Sequence, residues 1–132
     1  MKIDHIGVAT NGIDEAATIW RDALGLDIVE IEEVAEQKVR VAMLQIGESK
    51  LELLEATSAD SPIAKFLERN PEGGIHHVCY EVDDIRAARD KLKAQGARVL
   101  GDGEAKIGAH GKPVLFLHPK DFCGTLVELE QA

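Results

Sequence analysis

The stretch Ile75-His76-His77-Val78-Cys79-Tyr80-Glu81-Val82, set against Ile3-Asp4-His5-Ile6-Gly7-Val8-Ala9, decides the fold. Both stretches are rich in β-formers and read as strands. Placing His5 on His77 also puts Ile6 on Val78, Ile13 on Ile85 and Ala16 on Ala88 without a gap. Near the end of each half, Lys50-Leu51-Glu52-Leu53 falls on Leu126-Val127-Glu128-Leu129. Matched residues at matched positions read as an internal duplication.

Working outward, the first half reads β-α-β-β-β. After the strand Ile3 to Ala9, Asn11 and Asp14 offer capping groups for a run at helical spacing, namely Ile13, Ala16, Ala17, Ile19, Trp20, Ala23 and Leu24. Gly25 stands where a helix ends in a left-handed residue. Strands are expected over Leu26 to Val34, Val39 to Ile46 and Leu51 to Ala56, with Gly47-Glu48-Ser49 turning a hairpin. Ser61-Pro62 starts a short helix to about Asn70, and Pro71-Glu72-Gly73-Gly74 forms a joint. The order then recurs: a strand from Ile75 to Val82, a helix from Ile85 to Gln95 ending at Gly96, and strands near Arg98 to Leu100, Pro113 to His118 and Thr125 to Glu130. The glycine-rich segment Gly101 to Lys112 is expected to be a mobile loop. The chain 1–132 thus reads as one α+β domain: module 1–57, linker helix 58–74 and module 75–132.

The duplication gives the chemistry. A carboxylate between apolar residues, as in Leu51-Glu52-Leu53 and Val127-Glu128-Leu129, faces away from its neighbours in a strand. If those neighbours fill the core under the helices, Glu52 and Glu128 face the other side of the sheet. A bare carboxylate there is costly unless it is paired or bound to a cation. Taken singly, a histidine or glutamate on a strand is an ordinary structural residue. His5, His77, Glu52 and Glu128 at equivalent positions are better explained as one shared metal site, and a mixed N/O set suits Zn, Co, Fe, Mn or Ni rather than Ca. His76 aligns with Asp4, so His77 is preferred as the ligand. His118 reads as structural, while His110 in the glycine loop is placed to meet a ligand.

Composition sets the limits. The net charge of -9 argues against nucleic acid, which needs a basic surface. No apolar run approaches the roughly 20 residues that span a bilayer, so no membrane role is expected. The N-terminus carries no secretory h-region, and a cytoplasmic protein is the expectation. Cys79 and Cys123 are then expected to be free, buried thiols.

A resemblance adds to this reading. The string Lys106-Ile107-Gly108-Ala109-His110-Gly111-Lys112-Pro113, continuing through Phe116-Leu117-His118-Pro119-Lys120 to Leu126-Val127-Glu128-Leu129, resembles the methylmalonyl-CoA epimerase family. Asp4-His5-Ile6-Gly7-Val8, Lys50-Leu51-Glu52-Leu53-Leu54, Ser61-Pro62-Ile63-Ala64 and Gly74-Ile75-His76-His77-Val78 match it too. The opening and His-His motifs are common to the wider vicinal-oxygen-chelate, or glyoxalase, superfamily.

The resemblance implies paired βαβββ modules forming a cup-shaped sheet around a divalent metal. That metal would be Co2+, with Mn2+, Ni2+ or Zn2+ as alternatives, on His5, His77, Glu128 and Glu52. It further implies a homodimer and methylmalonyl-CoA as substrate. Inversion at the α-carbon calls for two acid/base groups. Glu128 is the first choice for one of them. Family members that carry a glutamate on the third strand would have it at Val41, so Glu52 is favoured as the other. Lys120, Lys112 and His110 are the expected substrate contacts, with Lys38 and Arg40 as further cations. The alternatives are a lactoylglutathione lyase-like isomerase of the same fold and a metal-free module binding a small ligand.

Overall fold

The computed structural model describes residues 1–132. The chain divides into two compact units, His5–His76 and a second made of Met1–Asp4 with His77–Ala132. Each carries the βαβββ order expected from the repeat.

The first holds β1 (Lys2–Ala9, entering from the other unit), α1 (Ile13–Ala17), β2 (Ile28–Val34), β3 (Val39–Ile46), β4 (Ser49–Ala56) and the linker helix α2 (Pro62–Arg69). Its strands run in the order β2-β3-β4-β1, with β1 parallel to β4 and the other neighbours antiparallel. The second holds β5 (Gly74–Val82), α3 (Ile85–Ala94), β6 (Lys106–Ile107), β7 (Pro113–Leu117) and β8 (Val127–Gln131). There the order is β5-β8-β7-β6, again with one parallel pair, β5 with β8.

The registers repeat as the sequence alignment requires. Glu52 lies beside Gly7 on one neighbouring strand and Met43 on the other. Glu128 lies between Cys79 and Phe116, the residues equivalent to that pair. Alternation then sorts the faces. Leu51 and Leu53 pack with Ile13, Ala16 and Trp20 under the first helix, and Val127 and Leu129 pack with Ile85, Ala88 and Leu92 under α3. Burying each such leucine or valine stabilises the fold by about 1.5–3 kcal/mol. The glutamates between them are driven to the opposite face.

Helix starts are where the sequence reading needs correction. Asn11 and Asp14 do not cap α1. The Asn11 amide donates instead to the Pro71 carbonyl, and Gly12 occupies the N-cap with no side-chain bond. The Ile13 N–H donates to Glu55 Oε1 at 2.9 Å, an acceptor brought from β4. The second unit does the same: the Ile85 N–H donates to Gln131 Oε1 of β8 at 2.9 Å, beside the Asp84 cap on Ala87. Ser61 caps α2 as expected, with Pro62 at its first position. Beyond Ala17 the first helix widens into a π-helical stretch, Thr18–Ala23, closed by Gly25 at φ +79°.

Two further expectations change. Arg98 to Leu100 forms no strand of its own and makes only a bridge, Val99 with Leu117. The Arg98 N–H and guanidinium both donate to Asp121, so the Arg98 amide adds nothing to the ladder. The glycine-rich segment is structured, because β6 forms within it against β7 and Lys106 reaches Asp102 at 2.7 Å. At the joint, Gly73 has φ +83°, and a Cβ there would collide with the Ala9 carbonyl oxygen. No helix is long and apolar enough to cross a membrane.

Candidate functional site

The four residues singled out by the repeat form two buried His–Glu pairs, one in each unit. In the first, His5 Nδ1 lies 3.4 Å from Glu52 Oε2, with both side chains about 5% exposed or less. In the second, His77 Nε2 lies 3.2 Å from Glu128 Oε1, with exposures of 9% and 10%. Phe116 stands edge-on to His77 at 6.0 Å, which fixes the ring's plane. His76, on the other face of the strand, sits edge-on to Phe66 of α2.

The second unit collects more charge on that face than the sequence reading named. Cys79 alternates with His77 along β5, and Glu130 alternates with Glu128 along β8, so all four share one face. Asp4, Cys79, Glu128 and Glu130 are all buried. Burial pushes the Cys79 thiol far up, and the carboxylates of Glu128, Glu130 and Asp4 add to the shift. Three buried carboxyl groups around one thiol form a cluster that a bound cation would stabilise. Imidazole and carboxylate donors of this kind fit a divalent transition ion.

His110 belongs to this group. Its Nδ1 lies 3.0 and 3.1 Å from the two oxygens of Glu130 and 3.8 Å from Asp4 Oδ2. His110 was expected to meet a ligand; the partners seen in the structure are Glu130 and Asp4. Glu130 itself was legible in principle, since a second glutamate two residues on must share the face of Glu128. Its isolation from any motif hid it.

The expected cations are divided by the structure. Lys38 pairs with Asp60, and Arg40 lies 3.7 Å from Glu55, so both are engaged within the fold. Lys112 and Lys120 are exposed, flanking β7. His118 is structural, as expected: its Nδ1 accepts from the Lys120 N–H at 3.1 Å and starts a short turn. Val41 is 2% exposed in a cluster with Val39, Met43, Leu54 and Ile63, so hydrocarbon fills the place of a third-strand acid. Cys79 is buried and free, but Cys123 is exposed in a turn at φ +57°, which corrects the expectation of two buried thiols.

The profile of the Glyoxalase/Bleomycin resistance protein/Dioxygenase superfamily matches residues 4–116. The ethylmalonyl-CoA/methylmalonyl-CoA epimerase of Cereibacter sphaeroides is 55% identical over 130 residues, covering 98% of this chain and 97% of that protein. The chain belongs to the methylmalonyl-CoA epimerase family of that superfamily. Solved structures agree. A variant of the Streptomyces coelicolor methylmalonyl-CoA epimerase in complex with 2-nitronate-propionyl-CoA is 38% identical, with a TM-score of 0.91 over 100% of this chain and 94% of that one. A methylmalonyl-CoA epimerase in complex with methylmalonyl-CoA and NH4+ is 39% identical, with a TM-score of 0.90 over 99% and 94%.

Proposed function

We propose that this protein is a methylmalonyl-CoA epimerase, interconverting the (2R) and (2S) forms through an enolate. The observation that carries the reading is the buried His–Glu pair repeated at equivalent register in each unit. The relatives' names supply the substrate.

His5, Glu52, His77 and Glu128 together would hold one divalent ion, Co2+ in this reading. When bound, the ion acts as a Lewis acid that stabilises negative charge developing on the substrate. The α-carbon lies between a thioester and a carboxylate, so its proton is weakly acidic and its removal leaves an enolate. Glu128 accepts that proton on a carboxylate oxygen; its place on the inner face beside His77 supports the role. Glu52 is engaged with His5 Nδ1 and serves chiefly as a ligand. Lys112 and Lys120 are read as meeting the phosphates of the CoA end, since Lys38 and Arg40 are already paired. A homodimer and a cytoplasmic location complete the proposal, the latter supported by two free cysteines.

The reading is tested by supplying cobalt-loaded protein with methylmalonyl-CoA and, separately, with a glutathione hemithioacetal. Turnover of methylmalonyl-CoA is expected. Activity on the glutathione adduct alone would refute the epimerase reading in favour of a lactoylglutathione lyase-like enzyme.

A further inference from the structure

Inversion needs a second group to deliver a proton to the face opposite the base, and Val41 leaves none on the third strand. The two units differ at one place that bears on this. Glu130 pairs across β7 with Val114, whereas its counterpart Leu54 pairs across β3 with Val41. Likewise Cys79 of the second unit stands where the first has Gly7. The second unit has thus placed a buried carboxylate on its inner face where the first has leucine.

That carboxylate holds an imidazole. Both Glu130 oxygens lie within 3.1 Å of His110 Nδ1, with Asp4 Oδ2 at 3.8 Å. The loop around it is fixed by backbone bonds from the Gly108 N–H to Lys112 O at 2.9 Å and from the Gly111 N–H to Gly108 O at 3.0 Å. The Glu130 side chain is 3% exposed while that of His110 is 17% exposed, so the ring is held at Nδ1 by a carboxylate buried more deeply than itself. A carboxylate on Nδ1 sets the tautomer and orientation of an imidazole and leaves proton exchange to Nε2. Glu130 is two residues from Glu128 on one face of β8, about 7 Å along the strand.

We infer that His110 is the second acid/base group of the epimerisation, with Glu130 as its positioning residue; this rests on the epimerase reading above. In one direction the Cα–H bond breaks, its proton passing to Glu128 and its electron pair into the enolate. The Nε2–H bond of His110 then breaks as a new Cα–H bond forms on the other face. The reverse direction exchanges the two roles, and solvent resets both groups between turnovers.

The experiment uses metal-loaded enzyme in D2O with each methylmalonyl-CoA epimer supplied separately. His110→Asn keeps an N–H at the place of Nδ1 for Glu130 but cannot carry the proton. Its expected signature is a split: deuterium enters one epimer at within about tenfold of the wild-type rate, while exchange into the other and net epimerisation both fall by about 100-fold or more. The double variant His110→Ala/Glu130→Leu removes the buried charge together with its partner and should give the same split. Epimerisation within about threefold of wild type, or equal loss of exchange from both epimers, would overturn the assignment. Failure of the reading itself looks different, because the wild-type enzyme would then exchange neither epimer.

Discussion

Replacing Val41 by glutamate asks why this chain lacks the third-strand acid. The Val41 side chain is 2% exposed, opposite Leu54 and packed with Val39, Met43 and Ile63. Val41→Glu forfeits about 1.5–2 kcal/mol of apolar burial. It also buries a carboxylate among hydrocarbon, and an uncompensated buried charge costs about 3–5 kcal/mol. Together these come to about 4.5–7 kcal/mol, comparable to the low end of the roughly 5–15 kcal/mol that holds a domain together. The introduced carboxyl would have a folded-state pKa raised by burial, so the penalty is full above that value and shrinks as pH falls through it. Urea unfolding followed by circular dichroism, at pH 7.5 and pH 5, measures both effects. Val41→Thr, which keeps the shape and adds one hydroxyl, should lose only about 1–3 kcal/mol. A loss below 1 kcal/mol for Val41→Glu, or an increase in epimerase rate, would overturn this and show that the inner face around Val41 and Leu54 accepts a charge.

Three further outcomes follow from the geometry. Glu55→Ala and Gln131→Ala each remove the acceptor for a helix-starting amide, and each should cost about 1 kcal/mol in chemical unfolding. Iodoacetamide at pH 8 should modify Cys123 in the native protein and spare Cys79, whose thiol is held neutral by burial and by three carboxylates; mass spectrometry of native and unfolded samples reads the difference. Asp121 is held down to about 2 by the Arg98 guanidinium and amide. Its contact therefore contributes in full above the ordinary carboxylate range near pH 4 and is lost as pH falls through about 2, which a carboxyl NMR titration with a midpoint near 2 would show.

Much of the fold was legible because duplication fixes register. Aligning His5 with His77 and Glu52 with Glu128 makes the two halves equivalent, and the structure repeats the register accordingly, with Gly7 beside Glu52 and Cys79 beside Glu128. Strand alternation then puts Leu51, Leu53, Val127 and Leu129 under the helices. The caps on Ile13 and Ile85 were not legible, because their acceptors come from 42 and 46 residues away. Local rules favoured Asn11 and Asp14. The same limit hid His110: its place in a glycine-rich loop indicated contact, but only folding shows that Glu130 and Asp4 hold the ring. Cys123 was misjudged because a left-handed turn carries it outward.

The pairs His5–Glu52 and His77–Glu128 are proposed to serve one ion. Cobalt bound per chain, measured by elemental analysis after loading and desalting, tests it directly in the wild type, His5→Ala and His77→Ala. One ion per chain is expected in the wild type and none in either variant. Two ions per chain, with one surviving in each variant, would contradict it.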